Sequence, residues 1–219
     1  MAIERKGVLF GVIHGKYMKP GREAAEKEVA NNRLQKLCLR KAIEQLDLLK
    51  PEDKVAIEKI GLAEKMGWHN ILTLIAEEAR KRNLKVVHFA PDEQVEKRVA
   101  GARIDFQLAE AMAGIRGALD EHAKRAINDA ERTLFTGAEI RTNFLIKTVR
   151  NEKPKLVFAG AKHIMDAAPF LKGYKNKTPL RLKLKAKALH TINTLADEAY
   201  YDISKKMQKH RKKTFGQNK

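Results

Sequence analysis

The chain has 219 residues, of which 43% are hydrophobic and 33% charged, and its formal net charge at pH 7 is +18. This length suits one large α/β domain, or one domain with an appendage. The longest apolar runs fall far short of the ~20 residues that span a bilayer, and the charged N-terminus breaks its apolar run too early for a signal peptide. The single cysteine, Cys38, excludes an internal disulfide. Together these features predict a soluble cytoplasmic protein.

The positive charge is concentrated near the C-terminus. From Lys172 to Lys219 there are 14 Lys and Arg against 3 Asp and Glu, so this segment carries 14 − 3 = +11 and the rest of the chain shares +7. Basic tails of this kind bind nucleic acid, acidic protein or anionic lipid. A solubilising, partly frayed chain end is an equally good interpretation, and no aromatic interleaving indicates a specific RNA reader.

Strand-like and helical patterns alternate along the chain. The predicted strands are "GVLFGVI" (7–13), "KVAIEKI" (54–60), "LKVVHFA" (84–90), "KLVFAGA" (155–161) and a more exposed edge strand, "PLRLKLK" (179–185). The predicted helices lie at residues 21–49, 68–83, within a helix-rich insertion at about 92–152, and at 164–174. This order indicates an α/β fold with a mainly parallel (mixed) central sheet and helices on both faces.

Two regions follow from this pattern. We expect one domain over residues 1–185, and a basic C-terminal helix and tail over residues 186–219. An apolar stripe along the second region would pack it on the sheet or form a homodimer.

Two short sequences share one form, an apolar run, then Gly-x-x-His, then the start of a helix. The first runs from Gly11 to His14 in "FGVIHG" and the second from Gly160 to His163 in "FAGAKHI". Parallel sheets bind ligands beyond the carboxyl ends of their strands, where the loops converge. Both histidines fall there, as does Glu58, a charged residue that ends an otherwise apolar strand. The sequence therefore predicts a site at this edge.

The alternative is that these residues are structural. His88 interrupts the third strand in the same manner, and a lone strand histidine is more often a hydrogen-bonded core residue than a ligand. A lone Glu58 could simply pair with a basic neighbour. Several such residues at one sheet edge favour a site, because His and Glu bind first-row metals or transfer protons. No HExxH or CxxC pair is present, so the spacing alone does not identify a metal centre.

With Arg141 and Asn143 in "EIRTNFLIKTV" and the closing "FLKGY", these motifs resemble the TraB/PrgY–Tiki–erythromycin esterase superfamily. That superfamily also includes the haem-uptake ChaN-like proteins. The resemblance covers about residues 7–185 and rests on short motifs. Some members are described as metal-dependent peptidases or esterases, and others have regulatory or unclear roles.

The resemblance implies a hydrolase-like pocket. In it, His14 and His163 would bind a metal or act as general acid and base, and Glu58 would bind the metal or activate water. Arg141 would hold a substrate carboxylate or stabilise an oxyanion. The cofactor would be a divalent ion (manganese, cobalt or zinc) and the substrate a small molecule or a peptide. The residues that would border the substrate are Gly11, Gly160, Asn143 and Lys162, the last standing where the family commonly has a small residue.

Three hypotheses remain open. The first is a hydrolase that uses an activated water, because the chain has no Gly-x-Ser-x-Gly nucleophile elbow and Cys38 lies in no motif. The second is a nucleic-acid-associated binding protein that acts through its basic tail. The third is a regulatory or ligand-sensing protein that keeps the pocket without turnover. We favour the first.

Overall fold

The structure is a computed structural model. It describes residues 7–13, 19–59, 67–91, 93–99, 101–102, 108, 121–180, 182–184, 209 and 211–216. The strands are β1 (Gly7–Val12), β2 (Lys19–Pro20), β3 (Lys54–Glu58), β4 (Trp68–His69), β5 (Lys85–Phe89), β6 (Leu156–Gly160) and β7 (Tyr174–Asn176). The helices are α1 (Arg22–Asn31), α2 (Arg33–Leu46), α3 (Ile71–Lys81), α4 (Glu121–Glu152) and α5 (Ala161–Ala167), followed by a 3-10 turn at Ala168–Phe170. Residues 93–99 are also helical.

Five strands form the central sheet, in the order β5-β3-β6-β1-β7. Every neighbouring pair is parallel, which confirms the α/β fold with a mainly parallel sheet. β2 and β4 form a separate antiparallel pair. Because all five strands run the same way, their carboxyl ends share one edge of the sheet.

The two faces of the sheet are covered by different helices. Successive strand residues point to opposite faces, so both faces of these apolar strands are buried. The face covered by α1, α2 and α3 is built from Phe10, Val12, Val55, Ile57, Leu156 and Phe158. The face covered by α4 and α5 is built from Leu9, Ala56, Phe89, Val157 and Ala159. Helices on both faces are therefore confirmed.

The prediction of one continuous helix over residues 21–49 is wrong. The helical pattern is interrupted at Asn32, which is extended and caps α2 by accepting the N–H groups of Leu34 and Gln35, each at 3.1 Å. Asparagine favours this capping position because its side-chain oxygen satisfies backbone donors that the first helical turn leaves free.

The predicted helix at residues 68–83 also begins later than expected. Trp68 and His69 pair with β2 instead, and Asn70 caps α3 through the N–H groups of Leu72 and Thr73. Capping by Asn70 sets the start of the helix at Ile71.

The predicted edge strand at residues 179–185 is wrong too. Residues 180 and 182–184 are helical, and β7 takes the edge position beside β1. Leu182 is buried, whereas Leu180 and Leu184 are exposed, so the alternating leucines do not share one face. The proline that opens the segment suits the first turn of a helix, because its fixed φ is already helical.

The end of the basic tail packs on α4. Residues 211–215 are helical, whereas 185–208 and 210, where most of the basic helix is predicted, lie outside the described residues. The Phe215 ring lies 6.4 Å from the Phe170 ring, and the Arg150 guanidinium lies 5.2 Å from the centre of the Phe215 ring. No helix within the described part of the chain combines the length and apolar character needed to cross a membrane.

Gly11 lies where the backbone is closely approached. Its N–H donates to Thr178 Oγ1 at 2.7 Å, and a Cβ built on it would lie 2.7 Å from the Ala161 Cα. Such contacts are shorter than real Cβ atoms make. The glycine of the first motif thus allows β1 to pack against the start of α5.

We predict that Gly11→Ala destabilises the protein by about 1–3 kcal/mol, because the added methyl meets backbone that must move. Urea unfolding followed by circular dichroism would measure the change. The control is Gly101→Ala, since that helical glycine has nothing within 4 Å of its Cβ position. It should leave stability unchanged or slightly higher. A Gly11→Ala variant as stable as the control would contradict the packing described.

Candidate active site

Glu58 is a buried carboxylate at the carboxyl end of β3. Its side chain is 1% exposed, and its Oε2 accepts the backbone N–H of Gly160 at 2.8 Å. Gly160 ends β6, the strand beside β3, and it is also the residue that caps α5. A buried charge is costly unless it is paired or hydrogen-bonded, so this contact is the first part of what Glu58 needs.

Two cationic or protonatable groups face the other oxygen of Glu58. Arg141 Nη1 lies 3.6 Å from Glu58 Oε1, and His163 Nε2 lies 3.6 Å from the same oxygen. The side chains of Arg141 and His163 are 14% and 13% exposed. The three groups therefore lie close together at one sheet edge, although they come from β3, α4 and α5. We call Glu58, Arg141 and His163 the Glu58 cluster.

His163 is oriented by Thr142. Thr142 Oγ1 donates to the carbonyl of Ala138 at 3.2 Å and lies 3.0 Å from His163 Nδ1. Because the hydroxyl proton is directed at Ala138, the hydroxyl oxygen is left to accept from Nδ1. This assignment of the tautomer follows from the hydrogen-bond network. It directs Nε2, the other ring nitrogen, at Glu58.

A second charged group borders this cluster. Lys162 Nζ lies 2.8 Å from Asp166 Oδ2 and 3.6 Å from Glu139 Oε1. Glu139 also forms an ion pair with Arg211 of the C-terminal segment, and Arg211 Nε donates to Asn143 Oδ1 at 3.1 Å. Burial lowers the pKa of Arg211 to about 10, which leaves it charged at neutral pH. We call these five residues the Glu139 cluster.

The residues that were predicted to border the substrate form hydrogen bonds or ion pairs with other residues of the protein. The N–H of Gly11 donates to Thr178 Oγ1, and the N–H of Gly160 donates to Glu58 Oε2. Asn143 and Lys162 belong to the Glu139 cluster, so they lie beside the Glu58 cluster and contact other residues.

His88 lies apart from the Glu58 cluster. His88 Nε2 lies 2.8 Å from Arg80 Nη2 of α3, which places His88 on the opposite face of the sheet from α4. His14 lies outside the described residues. The strand before it, β1, pairs with β6, and Val12 is in register with Gly160.

Sequence reasoning missed Glu139, Thr142 and Arg211. It also missed Glu96, whose Oε1 lies 4.0 Å from Arg141 Nη2. All four are buried. One signal was present on α4. Glu139 and Thr142 continue the spacing of the buried Leu145 and Val149 towards the N-terminus of the helix, so polar side chains occupy an otherwise apolar stripe. Arg211 carried no such signal, because its partner Asn143 is 68 residues away.

Two side chains of the Glu58 cluster have nearly the spacing of two ligands of one metal ion. Two ligands of one tetrahedral zinc ion lie about 3.3 Å apart, because each bond is about 2.0–2.1 Å long. Glu58 Oε1 and His163 Nε2, 3.6 Å apart, are close to that spacing. Among the described residues, no group of three or more His, Cys, Asp or Glu is placed to hold a metal. Arg141 beside the same oxygen opposes a second positive charge there.

Comparison with known proteins adds no relative. No family model, no curated protein and no solved structure matches this chain.

We predict that Glu58→Gln lowers the free energy of unfolding by about 3 kcal/mol, because it removes the negative charge that Arg141 and His163 face in a buried setting. The matched control is Glu152→Gln, which removes an exposed ion pair with Lys54 at 3.0 Å. That change should be under about 1 kcal/mol. Equal effects of the two substitutions, measured by urea unfolding, would show that the Glu58 carboxylate is not stabilised by these groups.

Proposed function

We propose that this chain is a hydrolase, peptidase- or esterase-like, of the TraB/Tiki type, with the Glu58 cluster as its catalytic centre. The observation that carries the proposal is the position of one buried carboxylate oxygen, 3.6 Å from both a guanidinium and an imidazole. A carboxylate, an imidazole and an arginine are the groups that water activation, proton transfer and anion stabilisation require. Their place at the carboxyl edge of a parallel sheet supports the proposal.

Each residue of the Glu58 cluster has a different role in this mechanism. Glu58 Oε1 accepts a proton from a water molecule as that water attacks the scissile carbonyl carbon. For this step His163 carries a proton on each ring nitrogen: Nδ1–H donates to Thr142, and Nε2 gives its proton to the leaving group. Arg141 stabilises the negative charge that develops on the carbonyl oxygen, and its planar fork also suits a substrate carboxylate. The N–H of Gly160 fixes Glu58 in place, which avoids a rotamer search during the reaction.

A divalent ion is a further element of the proposal. His14, Glu58 and His163 would hold it, and the candidates are manganese, cobalt and zinc. Such an ion would supply Lewis acidity and a bound water with a pKa near 7. With the ion bound, Glu58 and His163 would serve as its ligands instead of taking the acid and base roles above, whereas Arg141 would keep its role.

We predict that His163→Gln reduces kcat by about 10²–10⁴-fold, since it removes the proton donor while keeping side-chain size. The measurement is hydrolysis of a panel of ester and peptide substrates. Assays would follow chelation and then re-addition of manganese, cobalt or zinc. The control is His88→Gln, because that histidine lies on the other face of the sheet.

Restored turnover with one ion would assign that ion to the site. Turnover that chelation leaves unchanged would remove the metal from the proposal. Equal activity of His163→Gln and His88→Gln, or no hydrolysis by the wild type under any of these conditions, would contradict the hydrolase.

A further inference from the structure

A second surface of the protein is rich in lysine and lies away from the Glu58 cluster. It is formed by three segments, residues 147–155, 172–175 and 212–213. The basic side chains exposed there are Lys147, Arg150, Lys153, Lys155, Lys172, Lys175, Lys212 and Lys213. We call these residues the lysine surface. Only some of them belong to the basic C-terminal segment, because Lys147 to Lys155 lie at the end of α4 and the start of β6.

Hydrogen bonds and a ring contact hold the three segments together. Tyr174 Oη donates to the carbonyl of Pro154 at 2.9 Å, which joins β7 to the residues between α4 and β6. Arg150 donates to the carbonyls of Phe170 and Phe215, which joins α4 to the C-terminal segment. The Phe170 and Phe215 rings pack edge to face beneath these contacts. The three segments that carry these lysines are therefore packed against one another and are not separate loops.

Little negative charge opposes this surface. Glu152 is the only acidic residue in residues 147–155, 172–175 and 212–213, and it pairs with Lys54. Within the described residues, Lys147, Lys153, Lys155, Lys175, Lys212 and Lys213 form no ion pair. Elsewhere the exposed cations are often paired, as Lys41 is with Glu44 and Lys81 with Glu78.

Unpaired lysines on a folded surface repel one another, so their grouping favours a partner with a regular array of negative charge. Nucleic-acid phosphates and anionic lipid headgroups both have this chemistry. Surface binding to lipid combines cations with apolar side chains that enter the bilayer. The large exposed hydrophobic residues of the described chain are Leu48, Leu108, Phe144, Leu180 and Leu184, and all of them lie outside the three segments.

We propose that the lysine surface binds the phosphate backbone of a nucleic acid. Lysine binds phosphate as a point charge, without the fork that reads base edges, so the binding is independent of sequence. It is also separate from the proposed hydrolysis, because Lys153 and Lys155 precede β6, at the edge of the sheet opposite the carboxyl ends where Glu58 lies. The surface would bring the protein to nucleic acid or hold it there.

The test compares two variants with the same change in charge. One is Lys147→Glu/Lys153→Glu/Lys155→Glu, and the control is Lys27→Glu/Lys36→Glu/Lys50→Glu, three exposed lysines on and after α1 and α2 that also form no ion pair within the described residues. Each variant lowers the net charge by 3 × 2 = 6, and neither alters the basic tail. Circular dichroism would confirm that both are folded.

Fluorescence anisotropy would measure binding of the intact protein to duplex DNA and to single-stranded RNA of about 20 nucleotides over a series of salt concentrations. Vesicles of phosphatidylserine and phosphatidylcholine would be tested in parallel. We expect the surface variant to bind at least about 10-fold more weakly than the control variant at about 0.1 M salt. Its slope of log K against log salt should be shallower by about 2 to 3, because each phosphate contact contributes about 0.9 on duplex DNA.

Equal affinities of the two variants would overturn the proposal, because total charge or the tail alone would then explain the binding. No binding of nucleic acid by the wild type would also overturn it, including the case in which only the anionic vesicles bind. Loss of turnover by a Glu58→Gln variant has no bearing on this result, so the two proposals fail independently.

Discussion

The arrangement of the site depends on one constraint, the burial of the Glu58 carboxylate at the end of β3. Its charge is costly in the interior unless other groups compensate it. The compensation comes from three places: the backbone of Gly160 at the end of β6, the guanidinium of Arg141 on α4 and the imidazole of His163 on α5. These contacts join α4 and α5 to the carboxyl edge of the sheet, next to the apolar packing of Leu145, Ile146 and Ile164. Removing this charge from water has a desolvation cost, which these three partners offset.

Helix α4 connects this site to the C-terminal segment. Arg141 and Thr142 face the Glu58 cluster, whereas Glu139 and Asn143 contact Arg211. One turn of helix therefore contributes to both clusters, and Lys162, the neighbour of His163, contacts Glu139 as well. The C-terminal segment is thus part of the packed structure next to the site. The exposed Lys212 and Lys213 of this segment belong to the lysine surface.

Much of the sheet could be predicted from the sequence because its strands are short, continuous apolar runs. The grouping of Glu58 and His163 could be anticipated as well, since parallel strands bring their carboxyl ends to one edge. Arg141, which lies on a helix, was predicted only from the family resemblance. The alternating leucines of residues 179–185 were misleading, because a pattern with a period of two also fits a single helical turn with only Leu182 buried. Asn32 broke a helical pattern that continued on both sides of it. Arg211 could not be anticipated, because long-range pairing of a buried cation leaves no local pattern.

Glu58 and Arg141 are expected to act as a coupled pair in the folded protein, because their charged groups lie 3.6 Å apart. A double-mutant cycle measures this coupling, with Glu58→Gln, Arg141→Gln and the double variant compared with the wild type by urea unfolding. We expect a coupling free energy of at least about 1 kcal/mol, because either substitution alone removes an opposite charge 3.6 Å from its partner in a largely buried position. Additive effects, within about 0.3 kcal/mol, would contradict this coupling. They would mean that the two side chains contribute independently to the stability of the fold.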